Sequence, residues 1–124
     1  MAKRDIEKTK ERPTLAQLNR LKVQHLTMEF TAAGADDLES IARLREDFEL
    51  GLGVVDVTPG ETQDPQQIVE RVERALTRIA ARRITLNPDC GFAPGSAARV
   101  DIDEVFRKLR AEVEAARILR RRYG

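Results

Sequence analysis

Three apolar runs, beginning near Val23, Leu50 and Ile84, are each followed by a stretch of helical periodicity, and this alternation narrows the folds open to the chain more than any other feature. Starts spaced roughly one βαβ unit apart call for parallel strands joined by right-handed helical crossovers. The first strand is expected over residues 23–30, with Val23, His25, Thr27 and Glu29 on one face and Gln24, Leu26, Met28 and Phe30 on the other. The second is expected over residues 50–57, where the run Leu52-Gly-Val-Val-Asp-Val57 suits a strand covered on both faces. The third begins at Ile84 and stops at Pro88, and the one cysteine of the sequence, Cys90, follows on the turn.

Each helix carries its own start signal. Thr14 caps the first, with Gln17 at the capping-box position and Leu15, Leu18 and Leu21 as its apolar stripe. Asp36 caps the second, with Leu38, Ile41 and Leu44 as its face. Asp64-Pro65 opens the third, striped by Ile68, Val72, Leu76 and Ile79. Asp101 caps the last, with Glu104 as its box partner and Phe106, Leu109, Val113 and Ala116 on one face. The cations Arg120-Arg-Arg122 then complement the dipole at that helix's end. Residues 1–13 are mostly charged and read as a lead-in, so the folded domain is expected over residues 14–124. The class is α/β, yet three strand-helix units cannot close a barrel and leave two apolar strand edges unpaired. Such a chain is expected to be part of something larger.

Charge and hydropathy exclude several classes of partner. The net charge is +1, and the basic residues are interleaved with acidic ones, so neither a nucleic acid nor an anionic membrane surface is an expected partner. No apolar run approaches the roughly 18 residues that a membrane span needs, and the charged start has no signal-peptide core. One cysteine allows no internal disulfide, which suits a reducing, cytoplasmic setting.

The residues able to carry chemistry sit at strand ends. Parallel strands would bring Glu29, Asp56 and Cys90 toward one rim, where α/β proteins hold their sites. Carboxylate and thiolate are both zinc donors, although two donors fall short of the three a catalytic zinc site has. His25 shares a strand face with Glu29 but lies about 13 Å from it along the strand, so it reads as a packed or hydrogen-bonded histidine. Asp56 either points into a barrel centre or binds backbone amides of the Thr58 loop. A lone cysteine also fits a small buried hydrophobe.

Leu52-Gly-Val-Val-Asp-Val57, Asn87-Pro-Asp-Cys-Gly91, Thr27-Met-Glu-Phe30 and the helix Lys108-Leu-Arg-Ala-Glu-Val-Glu-Ala-Ala-Arg117 together resemble the C-terminal end of the catalytic domain of cobalamin-independent methionine synthases, over about Thr14 to Arg122. The 61 residues from Glu29 to Cys90 match the interval between the family's zinc glutamate and its last zinc cysteine. The resemblance implies the last three strand-helix units of a (β/α)₈ TIM barrel, a fold shared with uroporphyrinogen decarboxylase. It implies zinc ligation by Glu29 and Cys90 and a catalytic place for Asp56. It also implies a methyl-folate donor and a small-molecule thiol acceptor such as homocysteine, activated as a thiolate.

Two departures qualify what is implied. The His-x-Cys pair that completes the family's zinc site does not occur in this sequence and would lie before residue 1, so the zinc site here is incomplete. Thr58 stands where the family's methionine synthases carry a histidine proton donor. The expected function is therefore that of a C-terminal fragment or subunit of a synthase-like zinc methyltransferase, inactive alone and completed by a missing N-terminal portion or a complementary chain. The alternatives are a non-catalytic partner subunit, or part of a related zinc alkyltransferase acting on another thiol such as coenzyme M.

Overall fold

The computed structural model describes residues 14–31, 35–60, 63–92 and 100–124. Its elements, in order, are α1 (Leu15–Asn19), β1 (His25–Glu29), α2 (Ala35–Ala42), β2 (Glu49–Val55), α3 (Pro65–Leu76), a 3₁₀ turn (Ala81–Arg83), β3 (Ile84–Pro88) and α4 (Ile102–Tyr123). The strands form one open parallel sheet in the order β1-β2-β3, the expected alternation without closure. The charged lead-in, residues 1–13, lies outside the described residues.

Local sequence chemistry starts most of the helices. Thr14 Oγ1 accepts the Gln17 N–H at 3.1 Å while Gln17 Oε1 accepts the Thr14 N–H at 2.9 Å, a complete capping box. Asp64 does the same for α3 with Gln67, and Pro65 fills the first helical position, where no N–H is needed. Two expectations fail here. Asp36 falls within α2 and not ahead of it, because that helix begins at Ala35; the Asp36 side chain is outside the described residues. Glu104 does not close a box with Asp101: its carboxylate accepts the Gly60 N–H at 2.6 Å, a tertiary bond across 44 residues, and Asp101 caps α4 alone.

The sheet has two unlike faces. Leu26, Met28, Leu50, Leu52, Val54, Ile84 and Leu86 pack against the helices around buried Ile68, Val69, Val72, Ala75, Ala111 and Ala115. Every residue of β2 after Glu49 is buried, as expected of a central parallel strand. The opposite face carries His25, Thr27 and Glu29 from β1 and Asn87 from β3; His25, Thr27 and Asn87 lean over Gly51, and Asp89 lies over Gly53. The amino end of the sheet is closed by arginines. Arg83 donates to the carbonyls of Phe48 (3.0 Å) and Arg45 (2.7 Å). Arg45 stacks over the Phe48 ring at 4.1 Å and donates to the carbonyls of Asn19 and Leu21.

The last helix is turned the other way from its expected stripe. Phe106 (64% exposed), Leu109 (38%) and Val113 (50%) face outward. The buried face is Lys108, Ala111 and Ala115, and the small side chains of the two alanines let α4 lie close to α3 and the sheet. Periodicity detects that a helix has an apolar face; it does not say which neighbour that face meets. Here a second, larger face remains uncovered by any described element. No described helix is long and apolar enough to cross a membrane.

Candidate functional site

Beyond Pro88 the chain bends across the polar face of the sheet, and Asp89 fixes the bend. The Asp89 N–H donates to the Val55 carbonyl at 2.9 Å. Its carboxylate accepts the Phe30 N–H at 3.1 Å and a short hydrogen bond from the Thr31 hydroxyl. Asp89 therefore ties the end of β3 to the end of β1 across the strand between them. Glycine at position 53 permits the crossing: a Cβ there would stand 2.7 Å from an Asp89 carboxylate oxygen and 2.7 Å from the Met28 carbonyl.

This tie joins the chain neighbours of two of the sequence-derived residues. Glu29 immediately precedes Phe30, Cys90 immediately follows Asp89, and the two bridging residues are hydrogen-bonded. Glu29 pairs in register with Gly53, which in turn pairs with Asn87. Both Glu29 and Cys90 are exposed, so the carboxylate and the thiol are open to a ligand from the rim. Both are zinc donors by chemistry. Among the described residues no third His, Cys, Asp or Glu joins them, and the Asp89 carboxylate is already engaged. Two donors of these types would fall short of the three protein ligands of a catalytic zinc site.

His25 stays out of this group, as its spacing required. Its Nδ1 lies 3.9 Å from Glu49 Oε1, and its Nε2 and the Asn87 amide oxygen both lie within 3 Å of where a Gly51 Cβ would be.

Asp56 takes the second of its two readings. Its carboxylate accepts the Thr58 N–H at 2.9 Å, and hydrogen bonding from the Thr58 hydroxyl, followed by that N–H, holds its pKa below the ordinary carboxylate value, with Lys108 and Arg71 helping and burial opposing. It is therefore an ionised acceptor at neutral pH that anchors the loop after β2. Three further residues hold the same loop. Lys108, 2% exposed, donates to the Thr58 carbonyl at 2.7 Å. Arg71 donates to the Val54 carbonyl at 2.8 Å and to Gln63 Oε1 at 2.5 Å, and Glu104 receives Gly60.

Neither the loop brace nor the Asp89 tie follows from sequence motifs. Lys108 in a helix looks like any solvated lysine, and Asp89 looks like a turn residue. Glycines alternating at 51 and 53 within an apolar strand were the one available signal, since such spacing marks a close approach. Replacing Lys108 with alanine is expected to destabilise the fold by about 2 kcal/mol through lost stem burial and an undonated Thr58 carbonyl. It should also raise the Asp56 pKa toward its ordinary value. The Asp56 contribution is present above the unfolded carboxylate pKa and is lost as pH falls through the folded one, so the variant's deficit should shrink below about pH 4. Urea melts at pH 7 and pH 3 test both; an unchanged midpoint at pH 7 would show that the brace adds nothing.

The catalytic-domain family of cobalamin-independent synthases matches residues 8–118 of this chain. The 5-methyltetrahydropteroyltriglutamate–homocysteine methyltransferase of Shewanella oneidensis is 29% identical over 111 residues, 90% of this chain and 14% of its own length. That of Acidithiobacillus ferrooxidans is 31% identical over 99 residues, 80% of this chain and 12% of its own. The methionine synthase of Saccharolobus islandicus is 28% identical over 103 residues, 83% of this chain and 30% of its own. In fold, a B12-independent methionine synthase from Shewanella sp., solved with selenomethionine, superposes with a TM-score of 0.70 at 18% identity over 87% of this chain and 30% of that one. The chain spans less than a third of the length of each of these proteins.

Proposed function

Since the chain belongs to the catalytic-domain family of cobalamin-independent synthases, we propose that it supplies the C-terminal strand-helix units of a methionine-synthase-type barrel and does not transfer a methyl group by itself. In this reading Glu29 and Cys90 furnish two ligands of a zinc site, and the other ligands come from barrel units outside these 124 residues. Zinc, when bound, would hold the acceptor thiol as a thiolate for attack on the methyl of a folate donor.

The chain's own residues then have distinct tasks. Asp89 keeps the two donor-bearing segments together, and Asp56, ionised, keeps the loop over the rim in shape. Asp56 is proposed as a catalytic contributor in that charged form, as an acceptor toward a substrate cation and not as a proton donor. A reduced Cys90 is required, which suits a cytoplasmic setting.

The observation that supports this reading is the hydrogen bond from the Phe30 N–H to the Asp89 carboxylate, which joins the chain neighbours of Glu29 and Cys90, two residues 61 positions apart. Thr58 supports a second reading. It offers its backbone to Asp56 and Lys108 and has no imidazole to donate a proton, which favours a related alkyl transfer to another thiol, coenzyme M among them. A non-catalytic partner subunit is the remaining alternative.

The test is methyl transfer from methyltetrahydrofolate to homocysteine, with coenzyme M as the competing acceptor. The purified chain should show no turnover. The chain mixed with the Saccharolobus islandicus enzyme lacking its matching segment should show turnover that Cys90→Ser removes. Turnover by the chain alone, or none with either thiol in the mixture, would overturn the proposal.

A further inference from the structure

The free edge of β3 opens onto a groove of about 760 Å³ between the sheet and the helices, walled by Val72, Leu76, Ile84, Leu86, Val113 and Ala116. On α4 this wall runs into the exposed stripe of Ile102, Phe106, Leu109 and Val113, so the apolar surface continues for about three helical turns. One carboxylate is set into it. Glu112 lines the groove, its Oε1 is buried from solvent, and it has no hydrogen-bond donor among the described residues. Arg82 and Arg120 line the same groove, yet neither donates to it. A buried carboxylate oxygen without a donor is costly, and a docked cation or amide would remove that cost.

Resting on the barrel reading above, we infer that this groove is the seat of a parallel apolar strand and its helix from outside this chain, with a lysine or arginine of that unit closing on Glu112. A parallel sheet is built to be covered on both faces and continued at its edges by strands of the same direction, each backed by a helix. The groove has both walls for such a unit: a strand edge to pair with and a helix face to pack on. A second copy of this chain fits less well, because a two-fold contact between identical β3 edges would run antiparallel. Residues 1–13 fit less well again, since they carry eight charges and offer only Met1, Ala2 and Ile6 to an apolar wall. Burial without a partner also pushes the Glu112 pKa up, in keeping with a group that lacks its counter-charge.

The test uses the full chain and, as probe, the Saccharolobus islandicus methionine synthase lacking the segment that matches it. Binding should protect the amides of residues 84–87 and the Val113 side of α4 from exchange. Val113→Asp, at a half-exposed site where the free chain should keep its melting temperature, should weaken binding at least tenfold. Glu112→Gln should weaken it severalfold. Overturning results are no binding by the wild type at micromolar concentration, wild-type affinity in Val113→Asp, protection confined to β1, or self-association of the chain through the same groove. A protected complex that transfers no methyl group keeps the docking site and removes the proposed function. Methyl transfer that Val113→Asp leaves intact does the reverse.

Discussion

Gly53→Ala should lower the stability of the fold by about 3 kcal/mol, more than a comparable change at any exposed position. A Cβ at residue 53 would lie 2.7 Å from the Met28 carbonyl oxygen and 2.9 Å from the Asp89 Cα, and both of these are backbone. Neither can swing aside, so the bend after β3 has to lift away from β2. Gly51→Ala serves as the control. Its new Cβ would meet only the ends of the Asn87, His25 and Thr27 side chains, which can rotate, so a loss of about 1 kcal/mol is expected. Adding Asp89→Ala to Gly53→Ala should recover only part of the loss, because the carbonyl contact remains. Urea unfolding of the four proteins gives the comparison. Equal midpoints for the two alanine variants would refute the crossing as the reason for glycine at 53.

The second large effect concerns metal. If the chain acts as proposed, within a completed barrel, Cys90→Ser should reduce the zinc affinity of that assembly at least a hundredfold at neutral pH. Serine's hydroxyl stays protonated and is a poor zinc donor, whereas removing even an outer-shell partner of a zinc ligand costs about ten- to a hundredfold. Glu29→Gln should cost less, about tenfold, since an amide oxygen keeps the geometry and loses the charge. Asp89→Asn separates ligation from positioning. It should weaken zinc by a similar factor while a cobalt-substituted sample keeps the full intensity of its sulfur-to-metal absorption band, which Cys90→Ser should lower by removing one of the thiolate ligands. Competition against a chromophoric chelator reads the affinities. A completed assembly that holds zinc equally well without the Cys90 thiol would end the ligand assignment.

The order of the elements was legible in the residues because capping, apolar periodicity and strand spacing are local properties. Thr14 with Gln17 and Asp64 with Pro65 start their helices where their chemistry says they should. Two local signals misled. Glu104 had a nearer amide in sequence but a better one in space, at Gly60. The stripe Phe106-Leu109-Val113 was a true apolar face assigned to the wrong neighbour, because α4 has two faces and the small one won the close packing. Lys108, buried under the Thr58 carbonyl, had no sequence signature at all.

The sequence by itself determined that strands and helices would alternate, that the strands would be parallel, and that a carboxylate and a thiol would stand near strand ends. These follow from which side chains prefer which backbone over a few residues. Only the tertiary structure decided that Asp89 would reach across Gly53 to Phe30, and that Asp56 would turn to its own loop. Among the described residues, it alone left the β3 groove and the outer stripe of α4 uncovered. Those outcomes depend on which distant groups compete for the same hydrogen bonds and the same space, and that competition exists only once the strands lie side by side.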